Sequence, residues 1–410
     1  MAFKTIILNS PEVKPNAPAL FSNILLGIGQ IILWGGSFFL LAILAKPIMQ
    51  ETGWSPELVY GSLSLALLLS GLLAPTIGKK INSQENYHFL LYSGFVIGAG
   101  LVVLSLSTHI ALFITGWVII GIGMAMGLYD TLFASLGKKY GTNASKAITQ
   151  ITLISGFCTT LVWPALSILL EYFDWRTTCQ LYAVLLFVSI FPIHYYTLAA
   201  YRTGKVKNNT LFSIESTPAT PKRPTVYYFL LFSFTISAVL MTAVSLHLID
   251  ILLDRKLPKA VAIGLGALLG PSQVGVRILE VILPKRSPVK TSIMSAVGVL
   301  AGLGLLLFFP QMAFLGIIMY GLGNGMRSIL RGTLPLYIFG SGSYASIMGT
   351  LARPPLIAQA FTPFIGGFLI QHMGIFWFLA VLCLMAGINV VLTFGIQKSL
   401  KVREPDIGVV

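Results

Sequence analysis

Apolar residues run in long blocks along this chain, separated by short polar interruptions. Twelve blocks reach the roughly 20 apolar residues that a membrane-crossing helix needs. They fall at 20–48, 56–80, 86–108, 110–137, 145–170, 175–199, 225–251, 258–283, 288–309, 312–338, 344–370 and 374–397. Several starts carry cap chemistry: Ser55-Pro56-Glu57 offers an N-cap, a first-turn proline and an acid for the helix dipole. The longest polar interruption, 201–224, holds Pro218, Pro221 and Pro224 and reads as a linker. The pattern predicts an all-α membrane protein of twelve transmembrane helices. Its parts are a tail (1–19), a six-helix bundle (20–200), the linker (201–224), a second six-helix bundle (225–397) and a second tail (398–410).

Composition narrows the class. Of the 410 residues 56% are hydrophobic and only 10% charged, against roughly 25% charged in soluble proteins, so a soluble enzyme is excluded. The net charge of +14 would suggest nucleic acid in a soluble chain. Here the basic residues lie between apolar blocks without an aromatic–basic stacking surface, so membrane lipid is the expected surroundings and nucleic acid is not a partner. Placing the N-terminus inside puts 18 Lys and Arg on the inner side and 4 outside. By the positive-inside rule both termini are expected in the cytoplasm. Asn143-Ala-Ser145 and Asn208-Asn-Thr210 then map inside, so neither is read as a glycosylation site. Cys158, Cys179 and Cys383 sit singly in apolar blocks and imply neither disulfides nor a metal site. The first block is too long for a signal peptide and is expected to remain in the protein.

The two bundles repeat each other. Gly121-Ile-Gly123-x-x-Met126 in span 4 returns as Gly321-Leu-Gly323-x-x-Met326 in span 10, offset by 200 residues. With an offset of 199, Ile148 matches Ile347 and Pro164 matches Pro363. Parallel six-helix repeats around a central axis are a transporter architecture, with the binding site at the midplane between them.

Nearly the whole chain resembles a major facilitator superfamily transporter. Gly53-Trp54-Ser55, Tyr60-Gly61-Ser62-Leu63-Ser64 and Ser70-Gly71-Leu72-Leu73-Ala74-Pro75 are similar to bacterial members related to monocarboxylate porters. So are Tyr320-Gly321-Leu322-Gly323-Asn324-Gly325 and Arg331-Gly332-Thr333-Leu334-Pro335-Leu336. The superfamily's loop between spans 2 and 3 reads Gly-x-x-x-Asp-Arg-x-Gly-Arg-Arg. Here Gly78 fits, but Asn82, Ser83 and Glu85 replace the Asp, the Arg and the second Gly, and Tyr87 and His88 replace the basic pair. The resemblance therefore implies that the cytoplasmic charge latch is weakened or rebuilt. Span 5 offers only Gly156 and Trp163-Pro164 against the exporter motif, which points away from drug–proton antiport.

Charges at membrane depth need a partner or a water-filled cavity, so they rank as the candidate site. Asn324, Arg327 and Arg331 share one face of span 10 at three- and four-residue spacing. Arg327, with Arg331, either grips a substrate carboxylate or phosphate in a fork or pairs with acids in neighbouring helices. Arg277 and Glu280 share a face of span 8, as a static latch or with Glu280 as proton carrier. Asp130 in span 4 and Arg353 in span 11 lie at matching depth in opposite halves and could close the cytoplasmic side together; Lys138 or Lys139 is the alternative partner for Asp130. Gln30, Trp34, Tyr129, Trp163 and Gln359 are uncharged candidates for the cavity wall, with helix packing as the alternative. His247 and Asp250 form an outer gate or proton entry, or simply sit at the interface.

The intramembrane charges, Arg277, Arg327, Arg331 and Arg353 against Asp130 and Glu280, leave a net +2 that favours an anionic ligand. There is no His-Glu-x-x-His and no Gly-x-x-x-x-Gly-Lys loop, so neither an enzyme nor a cofactor is expected. The expectation is a monomeric, proton-coupled secondary transporter of a small organic anion such as a carboxylate metabolite. The alternative is a proton-antiport exporter of drugs or of a metabolite such as a carboxylate-rich metallophore.

Overall fold

The computed structural model describes residues 20–83, 88–199, 224–254, 258–282 and 286–401. The tails 1–19 and 402–410 and nearly all of the linker, 201–223, lie outside the described residues. Those described are helical, with no strand among them. In order the helices are α1 (Leu20–Gly35), α2 (Leu41–Thr52), α3 (Pro56–Ser83), α4 (His88–Ser105), α5 (Ile110–Gly127), α6 (Tyr129–Tyr140), α7 (Ala144–Ser155) and α8 (Cys158–Tyr172). There follow α9 (Trp175–His194), α10 (Pro224–Asp254), α11 (Lys259–Ala267), α12 (Leu269–Ile282), α13 (Pro288–Phe308), α14 (Ala313–Phe339) and α15 (Tyr344–Lys401).

The surface is that of a protein solvated by hydrocarbon. Phe364 is 76% exposed and Val391 69%, while the polar Asn23, Gln30 and His194 are all at 0%. Among the described residues eight helical stretches are long and apolar enough to cross a membrane, not twelve. Two of the eight span 63 and 57 residues. At about 1.5 Å per residue each is more than twice the hydrocarbon thickness of about 30 Å, so each must double back. The first is broken at Leu128 and at Gly141 (φ 56°), the second at Gly374 (φ 81°). The stretch expected at 20–48 is also split, between α1 and α2, and that at 258–283 is split between α11 and α12.

Helix ends are held by local chemistry. Asp174 accepts the Thr177 N–H at 2.6 Å to start α9, and Ser287 accepts the Lys290 N–H at 3.3 Å ahead of Pro288 to start α13. Lys138 Nζ donates to the carbonyls of Ile81 and Asn82, at 3.1 and 2.6 Å, and so closes the C-terminal end of α3. α9 continues as a π turn over Tyr195–Ala199, and its Thr197 carbonyl accepts Lys139 Nζ at 2.8 Å.

The sequence repeat is a packing repeat. A side chain on Gly121 of α5 would meet Ala66 of α3, and one on Gly321 of α14 would meet Ser272 of α12. One on Gly123 would meet Ile97 of α4, and one on Gly323 the Ser295 carbonyl and Val299 of α13. α5 thus nests between α3 and α4 as α14 nests between α12 and α13, with glycine wherever the backbones come together. This pair of copies differs in one respect that bears on the site: α5 and α6 are separate helices, whereas α14 is continuous.

The two halves meet through α3 and α15, α6 and α15, and α7 with α12 and α14. Along α3 and α15 the approach is backbone to backbone. A Cβ on Gly78 would lie 2.6 Å from the Ala345 carbonyl, and one on Gly349 would lie 2.5 Å from the Ala74 carbonyl. This junction lies at the end of the molecule that carries Lys79, Lys80, Lys138 and Lys139.

Candidate functional site

The break between α5 and α6 puts a carboxylate between the halves. Leu128 is extended (ψ −176°), and the carbonyls freed there are taken up: Gly127 by Gln30 Nε2 at 2.8 Å, Ala125 by Thr131 Oγ1 at 2.6 Å. A new helix begins at Tyr129 and places Asp130 in its first turn, where the dipole favours an acid. Asp130 there accepts both arms of Arg331 from α14, Nε to Oδ1 at 2.7 Å and Nη2 to Oδ2 at 2.6 Å. This bidentate pair joins the two halves across 201 residues of sequence.

Asp130 is therefore a cross-half pair as expected, but its partner is Arg331 and not Arg353. α15 turns the Arg353 carbonyl towards Gly71 of α3 and leaves the side chain exposed. Lys138 and Lys139 face the ends of α3 and α9.

Arg277 makes the second junction. Its Nη1 donates to the Thr152 carbonyl of α7 at 3.2 Å and its Nε to the Gly325 carbonyl at 3.3 Å, and the guanidinium packs on Gly156. It does not latch to Glu280, whose neighbours are Thr291 and Arg286. A buried carbonyl at the end of a helix is a ready acceptor for a guanidinium, and Arg277 is 8% exposed.

Arg327 differs from both. Its Nε donates to Asn324 Oδ1 at 3.0 Å and its Nη2 contacts the Met241 sulfur; among the described residues it meets no carboxylate. Arg331 and Arg277 lie close enough to repel it. It lines a cleft in the C-terminal half with Ser237, Ser295, Tyr320, Asn324 and Asn389. Three guanidiniums against one carboxylate leave this interior with an excess of two positive charges.

The remaining candidates divide into wall and support. Trp34 lines a second cleft together with Asp130 and Arg331. Its ring lies 5.2 Å from Tyr129 and 5.9 Å from Phe39, which in turn lies 6.3 Å from Trp163. Gln30 is fully buried behind Trp34 and accepts its Nε1 at 3.2 Å, and Gln359 is buried on Thr242 at 2.9 Å. Both amides hold helices together rather than line a cavity. His247 and Asp250 pair at 3.6 Å within α10 alone, with the imidazole edge-on to Phe378.

The family model of the Major Facilitator Superfamily matches residues 26–353. The chain belongs to the Major Facilitator Superfamily. It is accordingly a multi-pass membrane transporter and not an enzyme. Among curated protein sequences none matches it. Solved superfamily structures share its fold: FucP in the outward conformation has a TM-score of 0.71 at 13% identity, over 93% of this chain and 99% of that one. The proton:xylose symporter XylE gives 0.64 at 14% identity, over 92% and 94%. The human organic anion transporter MFSD10 gives 0.66 at 15% identity, over 94% and 100%.

Sequence reasoning overlooked several members of these sites. Met241 carried no signal, because methionine in an apolar block reads as packing. Asn389 did carry one, a lone amide in span 12; it accepts Ser233 Oγ at 2.6 Å and donates to Ser237 at 3.1 Å. Glu51 accepts Trp175 Nε1 at 2.7 Å and Arg176 Nε at 3.0 Å, and binds the far end of the N-terminal half together.

Proposed function

We propose that this transporter carries a small organic anion, with Arg327 as its principal recognition group, and couples the movement to protons at Asp130. One observation carries the reading: of three interior arginines, Arg331 has a carboxylate and Arg277 two carbonyls, while Arg327 has, among the described residues, only an amide and a thioether. A guanidinium at membrane depth without a counter-ion is costly, and an anionic ligand in the cleft supplies one. A proton on Asp130 would remove the charge that holds Arg331 and so loosen the junction between the halves. The fold accommodates both features, being shared with a proton symporter and with an organic anion transporter. The quoted span 2 and span 10 motifs support a relation to monocarboxylate porters. The proposed form is a monomer of twelve crossings in a bacterial inner membrane; the Lys and Arg distribution supports both termini and the linker in the cytoplasm, with the junction closing that side.

Arg327→Ala is expected to cost about 1.5–3 kcal/mol of anion binding, roughly tenfold or more in affinity, in protein that stays folded. Arg327→Lys keeps the charge but loses the fork and should bind planar carboxylates more weakly. Calorimetric titration decides: unchanged anion affinity in folded Arg327→Ala protein sinks the anion reading. The topology has its own test. Ser216→Cys should resist an impermeant thiol reagent in intact cells and react in everted membranes.

A further inference from the structure

We infer that the transported anion is amphipathic, a carboxylate joined to an aromatic or similarly flat apolar body, held with its charge on Arg327 and its body against a wall of rings in the N-terminal half. The inference rests on the anion reading above and adds the nature of the rest of the molecule. The wall consists of Trp34, Phe38, Phe39, Tyr129 and Trp163, each in ring contact with another member at 5.1–6.3 Å between centroids. They come from four places. Trp34 ends α1, Phe38 and Phe39 lie in the irregular stretch before α2, Tyr129 opens α6, and Trp163 precedes the proline of α8. All five keep part of their surface open, Trp163 to 37%.

Two observations make the wall a recognition surface for an apolar body. First, two of its polar atoms are already engaged inside the protein: Trp34 Nε1 by Gln30, and the Tyr129 hydroxyl with Ser155 Oγ at 2.5 Å. What remains is ring face and ring edge, which stack on flat apolar groups and give a polyhydroxylated body few hydrogen-bond partners. Second, the wall adjoins the cations. Trp34 shares its cleft with Asp130 and Arg331, Tyr129 lies within electrostatic reach of Arg277 and Arg331, and these two reach Arg327. Rings and cations thus meet at the cleft that Trp34 shares with Asp130 and Arg331, as an aromatic carboxylate requires.

The test is calorimetric titration of the purified full-length chain in detergent with phenylacetate, acetate, gluconate and the neutral phenylacetamide. Phenylacetate should bind about tenfold or more tighter than acetate and gluconate, and phenylacetamide should bind far more weakly than phenylacetate. Trp34→Leu and Trp163→Leu should each erase most of the phenylacetate advantage over acetate. Should Trp34→Leu fail to fold, the more exposed Trp163→Leu decides. Equal affinity for phenylacetate and acetate, no phenylacetate binding by folded protein, or an advantage that survives both substitutions overturns the inference. If the advantage is absent but Arg327→Ala still abolishes binding of both anions, the ring wall fails and the anion reading stands. Anion binding indifferent to Arg327→Ala removes both.

Discussion

The two halves repeat one packing scheme and furnish their interiors in opposite ways. In the N-terminal half the polar groups beside the ring wall are matched internally, Gln30 to Gly127 and Trp34, and Tyr129 to Ser155. In the C-terminal half Ser237, Asn324, Asn389 and Arg327 line a small cleft, and Arg327 has no carboxylate among the described residues. The far ends differ as well. Glu51, Trp175 and Arg176 tie separate helices of the N-terminal half together, whereas His247 and Asp250 pair along a single helix. One backbone plan thus supports ring surface in one half and, in the other, a guanidinium that has no carboxylate among the described residues.

The strongest way to break this comparison lies one turn apart on α14. Arg331→Ala strands Asp130 in a pair whose side chains are only 15% and 16% exposed, and should lower unfolding stability by about 3 kcal/mol. Arg327→Ala removes an uncompensated charge and should leave stability nearly unchanged while weakening ligand binding roughly tenfold or more. Equal destabilisation by the two, read as thermal midpoints in one detergent, would mean that Arg327 has a structural partner after all.

Next in size is the tie at the far end of the N-terminal half. Glu51→Ala leaves the Trp175 Nε1 without its acceptor in a side chain 2% exposed, at a cost of about 1–3 kcal/mol. Asp250→Ala, its counterpart in the other half, should be close to neutral in the same thermal assay. A larger loss for Asp250→Ala would reverse the ranking of the two ends.

The smallest effect is the cap of α9. The Thr177 N–H holds the Asp174 carboxyl below the usual carboxylate range. A lowered folded pKa contributes stability that is present above the unfolded value and lost as pH falls through the folded one. Asp174→Ala should therefore cost about 1 kcal/mol at neutral pH and less in acid, which unfolding at pH 7 and at pH 3 would resolve.

The repeat was legible because helices that touch closely need glycine, and the need recurs at Gly121 and Gly321, and at Gly123 and Gly323, in each copy. The depth of Asp130 was legible from its distance along an apolar block. Its partner was not: depth fixes height in the bundle, but the choice between Arg331 and Arg353 depends on how α14 and α15 are rotated about their axes. Arg277 misled for a related reason. Its spacing from Glu280 suggests a local pair, yet a carbonyl and a glycine in the opposite half give the guanidinium a better place. The breaks at Leu128 and between α1 and α2 carry no proline, and the former is stabilised by Gln30 and Thr131 acting from outside the broken turn. Met241 and the ring wall exist only once separate helices are brought together.

Where α3 and α15 meet at Gly78 and Gly349, backbone lies on backbone with no side chain between them. Meshed side chains resist sliding because each must leave its socket before the next can be entered; a smooth seam has no sockets. At this point of the seam the halves would be free to roll in small increments, as a rocker turns on its bearing, without a sequence of rotamer changes. A leucine at Gly349 would act as a wedge in that bearing, and transport would slow at the turning step even though every ligand-binding group remained in place.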